Sequence, residues 1–214
     1  MNPEPSVAVV IPAHEEAPRV GHVVAAALES GVGSVWVVDD GSRDATEKVA
    51  RAAGAHTIAL PENLGKGGAI AEAVRRIEAD LFLLLDADLT SLQARHVSAL
   101  LAPVREGTAD TTRGVFEGAR WSTTMAQRLA PQLSGQRVVP KDWLAAMPAL
   151  ATSRFGVEWL IEREMRRRNA RRVDVTLDGV GQVMKEEKRG AWHGAWSRLR
   201  MYRDVVRAMM LRGG

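Results

Sequence analysis

Apolar positions along this chain fall into short unbroken runs, separated by segments where they recur every three or four residues. Val7-Ala8-Val9-Val10-Ile11 is one run, stopped by Pro12; Ser34–Val38 and Leu81–Leu85 are two more, and His56–Leu60 is a shorter one. Runs of this length without polar alternation predict strands buried on both faces, as in the middle of a parallel sheet. Between them the period becomes helical. Arg19–Ser30 is entered through Pro18 and left through Gly31. A second helix runs to Ala53, with Asp44 placed to cap it and Gly54 at its C′ position. Gly67–Glu78 puts Ala69, Ile70, Ala73, Val74 and Ile77 on one face. Strands alternating with helices of this length predict a parallel sheet wound through right-handed crossovers.

After a helix over Gln93–Leu101 the rhythm loosens. The pattern predicts a strand at Ala109–Val115, a helix at Trp121–Leu133, a loop at Ser134–Arg137 and a short helix from Pro140 to Met147. A charged helix at Val157–Arg168, an alternating strand at Arg172–Leu177 and a basic amphipathic helix at Trp196–Leu211 follow. No repeat, low-complexity tract or linker interrupts the 214 residues. The expected fold is therefore a single α/β domain: an open, mostly parallel sheet with helices on both faces.

Composition narrows the chemistry. The chain has no cysteine, which excludes structural disulfides, thiolate metal sites and cysteine nucleophiles. Its longest apolar runs fall far short of the ~20 residues that a membrane span needs. Met1–Pro5 has neither the basic segment nor the apolar core of a leader, so a cytoplasmic protein is expected. The net charge of +3 is unevenly divided. Residues 1–110 carry 9 Lys and Arg against 16 Asp and Glu, whereas 111–214 carry 20 against 10. The basic residues fall mostly at helical spacing beside acidic ones (Arg163, Arg166, Arg167; Arg200, Arg203, Arg207), the pattern of a solvated helix face rather than a nucleic-acid patch.

The candidate chemistry lies where the runs end. Leu81–Leu85 leads into Asp86-Ala87-Asp88. Continued as extended backbone, this segment points both carboxylates to one side, roughly 7 Å apart. Like charges leaving a buried strand are costly without a cation between them, and a hard divalent ion such as Mg²⁺ or Mn²⁺ takes carboxylate and phosphate oxygens alike. Three earlier runs also end in unusual loops: Pro12-Ala13-His14-Glu15-Glu16, Asp39-Asp40-Gly41-Ser42 and Asn63-Leu64-Gly65-Lys66-Gly67-Gly68-Ala69. In a parallel sheet all four loops share one edge, the carboxyl edge where ligands bind. The glycines and Lys66 of the third loop suit a phosphate, with the N–H groups of the following helix behind them. Neither a Walker loop nor a Gly-x-Gly-x-x-Gly after the first strand is present.

Together the four motifs resemble the family-2-type nucleotide-sugar glycosyltransferases of GT-A (Rossmann-like) fold, over roughly the first 120 residues. The resemblance implies a nucleotide-sugar-binding half at 1–120 and an acceptor half at 121–214. It implies that Pro12, Ala13 and Glu15 line the base and ribose and that Asp40 bonds the base. Lys66 would meet the diphosphate, and Asp86, Ala87 and Asp88 the sugar and metal, making Asp86, Asp88 and Lys66 the catalytic set. Leu133-Ser134-Gly135-Gln136-Arg137 and Gly156-Val157-Glu158 are similar to segments of glucosyl-3-phosphoglycerate synthases, and polyprenyl-phosphate sugar synthases carry a comparable Ser-Gly loop. By that likeness Ser134, Gly135, Gln136 and Arg137 would hold an anionic acceptor and Glu158 the sugar hydroxyls. A late histidine, His193, is offered as a metal ligand beside Asp88, although its loop between Gly190 and Gly194 equally suits an exposed histidine. The function implied is metal-dependent transfer from a nucleoside-diphosphate sugar, UDP-glucose first, to an anionic acceptor. One alternative is a polyprenyl-phosphate acceptor, with the Trp196–Leu211 helix lying on the inner face of the membrane. Packing of that stripe onto the domain, or onto a second copy in a homodimer, explains the same pattern. The other alternative, a sugar-1-phosphate nucleotidyltransferase, expects a basic first loop where this chain has Glu15 and Glu16.

Overall fold

A computed structural model describes residues 4–116, 135–154 and 156–182. The elements are β1 Val7–Ala13, α1 Ala17–Glu29, β2 Ser34–Asp39, α2 Thr46–Ala52, β3 His56–Ala59, α3 Gly65–Arg76 and β4 Leu81–Leu84. They continue with β5 Leu89–Thr90, α4 Ala94–Arg105, β6 Thr111–Phe116, β7 Arg137–Pro140, α5 Lys141–Ala145, α6 Val157–Arg167, β8 Arg172–Leu177 and β9 Gly181–Gln182. The expected helices at Trp121–Leu133 and Trp196–Leu211 lie outside the described residues, as do Ser134 and His193. No helix among the described residues is long and apolar enough to cross a membrane.

Seven strands form one sheet in the order β3-β2-β1-β4-β7-β6-β8, and β5 pairs with β9 separately. Every neighbouring pair in the large sheet is parallel except β4–β7 and β6–β7, so β7 alone runs backwards. The unbroken apolar runs are explained by two cores. Val7, Val9 and Ile11 of β1 pack with α1 and α4 (Val20, Val24, Val97, Leu100), while Ala8 and Val10 pack with α3, α5 and α6 (Ile70, Ala73, Leu144, Ile161). A strand with a core on each side has no position left for a polar residue.

The first strand does not stop at Pro12. It runs on through Pro12 opposite Val38 and Ala13 opposite Asp39. Leu85 donates to the Val10 carbonyl, so Val10 and then Pro12 direct their ladder groups toward β4, whose strand ends at Leu84. The N–H that proline lacks therefore has no ladder partner to lose, and the strand passes through it.

Candidate active site

The carboxyl ends of β1, β2, β3 and β4 share one edge, as expected, and their loops are tied to one another. Glu15 takes a left-handed backbone (φ +57°), its N–H donates to Ser42 Oγ at 3.0 Å, and its carboxylate accepts the Arg43 N–H at 2.8 Å. His14 Nδ1 lies 2.8 Å from the Asp40 carbonyl, and the Glu16 N–H donates to Thr46 Oγ1 at 2.9 Å. Asp44 caps α2 from just outside it, accepting from the N–H and the hydroxyl of Thr46. Of the residues expected at the base and ribose, Ala13 is buried, and Pro12 and Glu15 are half-buried.

Asp40, expected at the base, is 4% exposed, and its carboxylate accepts the Leu64 N–H at 2.7 Å and the Gly65 N–H at 2.8 Å. It holds the start of α3. Asp40→Ala is expected to lower stability by about 1.5–3 kcal/mol, the scale for hydrogen bonds to a charged group. Denaturant midpoints measure this; unchanged stability with weakened nucleotide binding would return Asp40 to the base.

The glycine-rich stretch also differs from expectation. Gly65, Lys66, Gly67 and Gly68 form the first turn of α3 rather than a loop. Their close approach is to the chain itself: the Gly67 N–H donates to the Ser153 carbonyl at 2.9 Å, and a Cβ at Gly65 would stand 2.6 Å from the Arg154 Cα. The N–H groups assigned to a phosphate are in part already used, by Asp40 and by Ser153.

Lys66 projects from that turn into a charged cluster. Its Nζ lies 2.6 Å from Asp86 Oδ1 and 2.7 Å from Glu158 Oε1, and Gln136 Nε2 donates to Asp86 Oδ2 at 2.8 Å. Burial works against the lysine charge, but the two carboxylates outweigh it and hold Lys66 above the ordinary lysine range. The cation that Asp86 needs is therefore Lys66. The extended geometry expected for the two aspartates is not kept, because β4 ends at Leu84 and Ala87-Asp88 turn into β5. Asp88 is 8% exposed and Ala87 is buried. Gly135 lies over the pair: a Cβ there would stand 2.5 Å from each Asp86 oxygen. Gln136 lies in the expected loop but is fully buried, and Arg137, expected to end that loop, instead opens β7 opposite Leu84. Because β7 runs backwards, its beginning arrives at the edge where the other strands end.

A divalent metal fits this donor set in a limited way. Among the described residues no group of three or more His, Asp or Glu side chains is arranged to hold an ion. Mg²⁺ commonly takes one or two carboxylates and completes its shell with water and substrate phosphates. Both Asp86 oxygens have partners, Lys66 and Gln136, and Asp88 stands two residues further on, 8% exposed.

The family model "Glycosyl transferase family 2" matches residues 8–161. The chain belongs to that family. A glycosyltransferase, AglJ, of Haloferax volcanii is 36% identical over 103 residues, covering 48% of this chain and 33% of that protein. An N-acetylglucosaminyltransferase of Mesorhizobium japonicum is 36% identical over 165 residues, covering 72% of this chain and 37% of that protein. The chain thus spans about a third of the length of these relatives. Glucosyl-3-phosphoglycerate synthase from Mycobacterium tuberculosis, solved with Mn²⁺, uridine diphosphate and phosphoglyceric acid, superposes with a TM-score of 0.76 at 23% identity. That match covers 94% of this chain and 78% of the synthase. The shared fold is the GT-A arrangement that the four motifs implied.

Sequence reasoning did not single out Arg113, Asp174 or Glu162. Arg113 forks onto Asp174, at 3.1 Å from Nε and 2.6 Å from Nη2, and Arg172 Nη1 donates to Glu162 at 2.6 Å. The available signal is a charged residue, Arg113, inside the Ala109–Val115 segment that the pattern predicts as a strand.

Proposed function

We propose that this family 2 chain catalyses metal-dependent transfer of a sugar from a nucleoside-diphosphate sugar, UDP-glucose first, to an anionic acceptor. The observation that carries this reading is the convergence of Asp86, Lys66, Glu158 and Gln136 beside Asp88, at the edge bordered by the Pro12–Glu16 and Asp39–Ser42 loops. The solved synthase of this fold was crystallised with Mn²⁺, uridine diphosphate and phosphoglyceric acid, which supports the choice of ligands. In this reading the first two loops hold the nucleoside, Glu158 and Asp86 orient the sugar hydroxyls, and Lys66 bridges both carboxylates while adding positive charge near the diphosphate. A divalent ion at Asp88, when bound, supplies charge stabilisation to the departing diphosphate without a proton donor. Gly135, Gln136 and Arg137 border the acceptor side. Family 2 membership gives no support to the nucleotidyltransferase alternative.

Thermal unfolding with a panel of nucleoside-diphosphate sugars, with and without Mn²⁺, tests the proposal. A true donor at a hundred times its dissociation constant adds about 2.7 kcal/mol. UDP-glucose is expected to raise the midpoint only with metal present. A panel in which no nucleotide stabilises the protein with any divalent ion would sink the reading.

A further inference from the structure

Gly65, Gly67 and Gly68 open α3, and the last two are buried. Glycine inside a helix costs stability relative to alanine, so buried glycines there need a packing reason. The reason here is the segment that precedes α6. A Cβ at Gly67 would overlap the carbonyl oxygens of Leu150 and Ser153, and one at Gly65 would crowd the Arg154 backbone. The Ser153 carbonyl accepts the Gly67 N–H at 2.9 Å, an N–H that the first turn of a helix leaves without an internal partner. Arg154 adds a side-chain tie from an exposed position. Its Nη2 donates to Asn63 Oδ1 at 2.8 Å, and Asn63 Nδ2 donates to the Asp40 carbonyl at 3.3 Å.

Lys66 stands between Gly65 and Gly67, so the turn that presents its ammonium also receives the chain just ahead of Glu158. Glu158 follows Ser153 by only five residues, whereas it is 92 residues from Lys66. A lysine is a point charge on a flexible four-carbon stem and cannot by itself fix where a carboxylate sits. The backbone contact at Gly67 can, because it sets the distance between the two elements before either side chain is placed.

We infer that Gly67 and Arg154 are positioning residues, which seat the 150–154 segment on the first turn of α3 and so hold Glu158 against Lys66. On the transferase reading above, on which this rests for its consequence, Glu158 meets the sugar. Gly67 and Arg154 then govern selectivity for the donor sugar without touching it.

A double-mutant cycle on the full chain tests the seat without any ligand. Glu158→Gln is expected to lower the denaturant midpoint of the wild type, and to lower that of Gly67→Ala by no more than half as much, because the displaced segment has already withdrawn the carboxylate. Should Gly67→Ala fail to fold, Arg154→Ala changes only an exposed side chain. It should shrink the same loss by a smaller factor, and Arg154→Lys should restore it. A Glu158→Gln loss that is absent from the wild type, or equal in the wild type and every variant that folds, overturns the inference. Isothermal titration with Mn²⁺ tests the consequence. Arg154→Ala should bind uridine diphosphate within twofold of the wild type and UDP-glucose at least threefold more weakly. UDP-glucose held as tightly as before, or both ligands weakened equally, overturns the role in sugar selectivity and leaves the transferase reading in place. A wild type that binds neither nucleotide with any divalent ion sinks that reading, and the seat is then decided by the cycle.

Discussion

Asp88→Asn is expected to abolish metal-dependent uridine diphosphate binding and to slow sugar transfer at least a hundredfold, while the unfolding midpoint hardly moves. In the proposed reading Asp88 carries the metal-binding role of the pair, while Asp86 has Lys66 on one oxygen and Gln136 on the other. Asparagine keeps the shape but loses the charge that a hard cation requires. It also removes a like charge two residues from Asp86, which favours the fold. A hundredfold slowing corresponds to about 2.7 kcal/mol of transition-state stabilisation, well within what a bound cation supplies. Calorimetry with and without Mn²⁺, beside a transfer assay, decides the matter. Full transfer by the variant, or by the wild type in EDTA, would remove Asp88 from the site.

Lys66→Met is expected to be the most damaging single change to stability. The substitution leaves Asp86 and Glu158 facing one another, largely buried and without their shared cation. Removing one partner of a buried ion pair costs about 3–5 kcal/mol, and the partial exposure of these groups puts the expected loss near the lower end. Transfer activity should vanish with it. Folding raises the Lys66 pKa, so the stability its charge contributes is complete below the ordinary lysine value of 10.5 and is lost only as pH climbs through the raised one. This group therefore gives the wild type no pH dependence between pH 5 and 8. Denaturant midpoints of wild type and variant at neutral pH measure the loss; an unchanged midpoint would mean that the carboxylates do not depend on Lys66.

How far the sequence could be read depended on how local each constraint was. The two-sided burial of β1, β2 and β4 is written in unbroken apolar runs, and α1, α4 and β8 appear within a few residues of their observed bounds. Pro12 misled because a missing N–H matters only when a neighbouring strand would receive it. The Gly65–Gly68 stretch misled similarly: glycines that admit a ligand and glycines that admit the chain's own 150–154 segment look alike in sequence. β7 is not legible, because Val138 and Val139 stand alone between a loop expected to end at Arg137 and a helix expected to open at Pro140. Its pairing with β4 depends on residues about 55 positions away. Asp86, Lys66 and Glu158 were each legible as candidates, whereas the ion pairs joining them were not.

The reversed strand also bears on the order in which the molecule takes shape. The contacts joining the first two loops, His14 to Asp40 and Glu16 to Thr46, close over 26 and 30 residues within neighbouring β-α units. The Lys66–Glu158 pair closes over 92 residues and needs the chain to return past β7 first. Logarithmic growth of closure entropy makes that extra length cost only about 1 kcal/mol, but contacts of large sequence separation form late on folding pathways. A newly made chain is therefore expected to join its first two loops, the proposed nucleoside cradle, before it assembles the Lys66 cluster, which is complete only once nearly all of the sheet is in place.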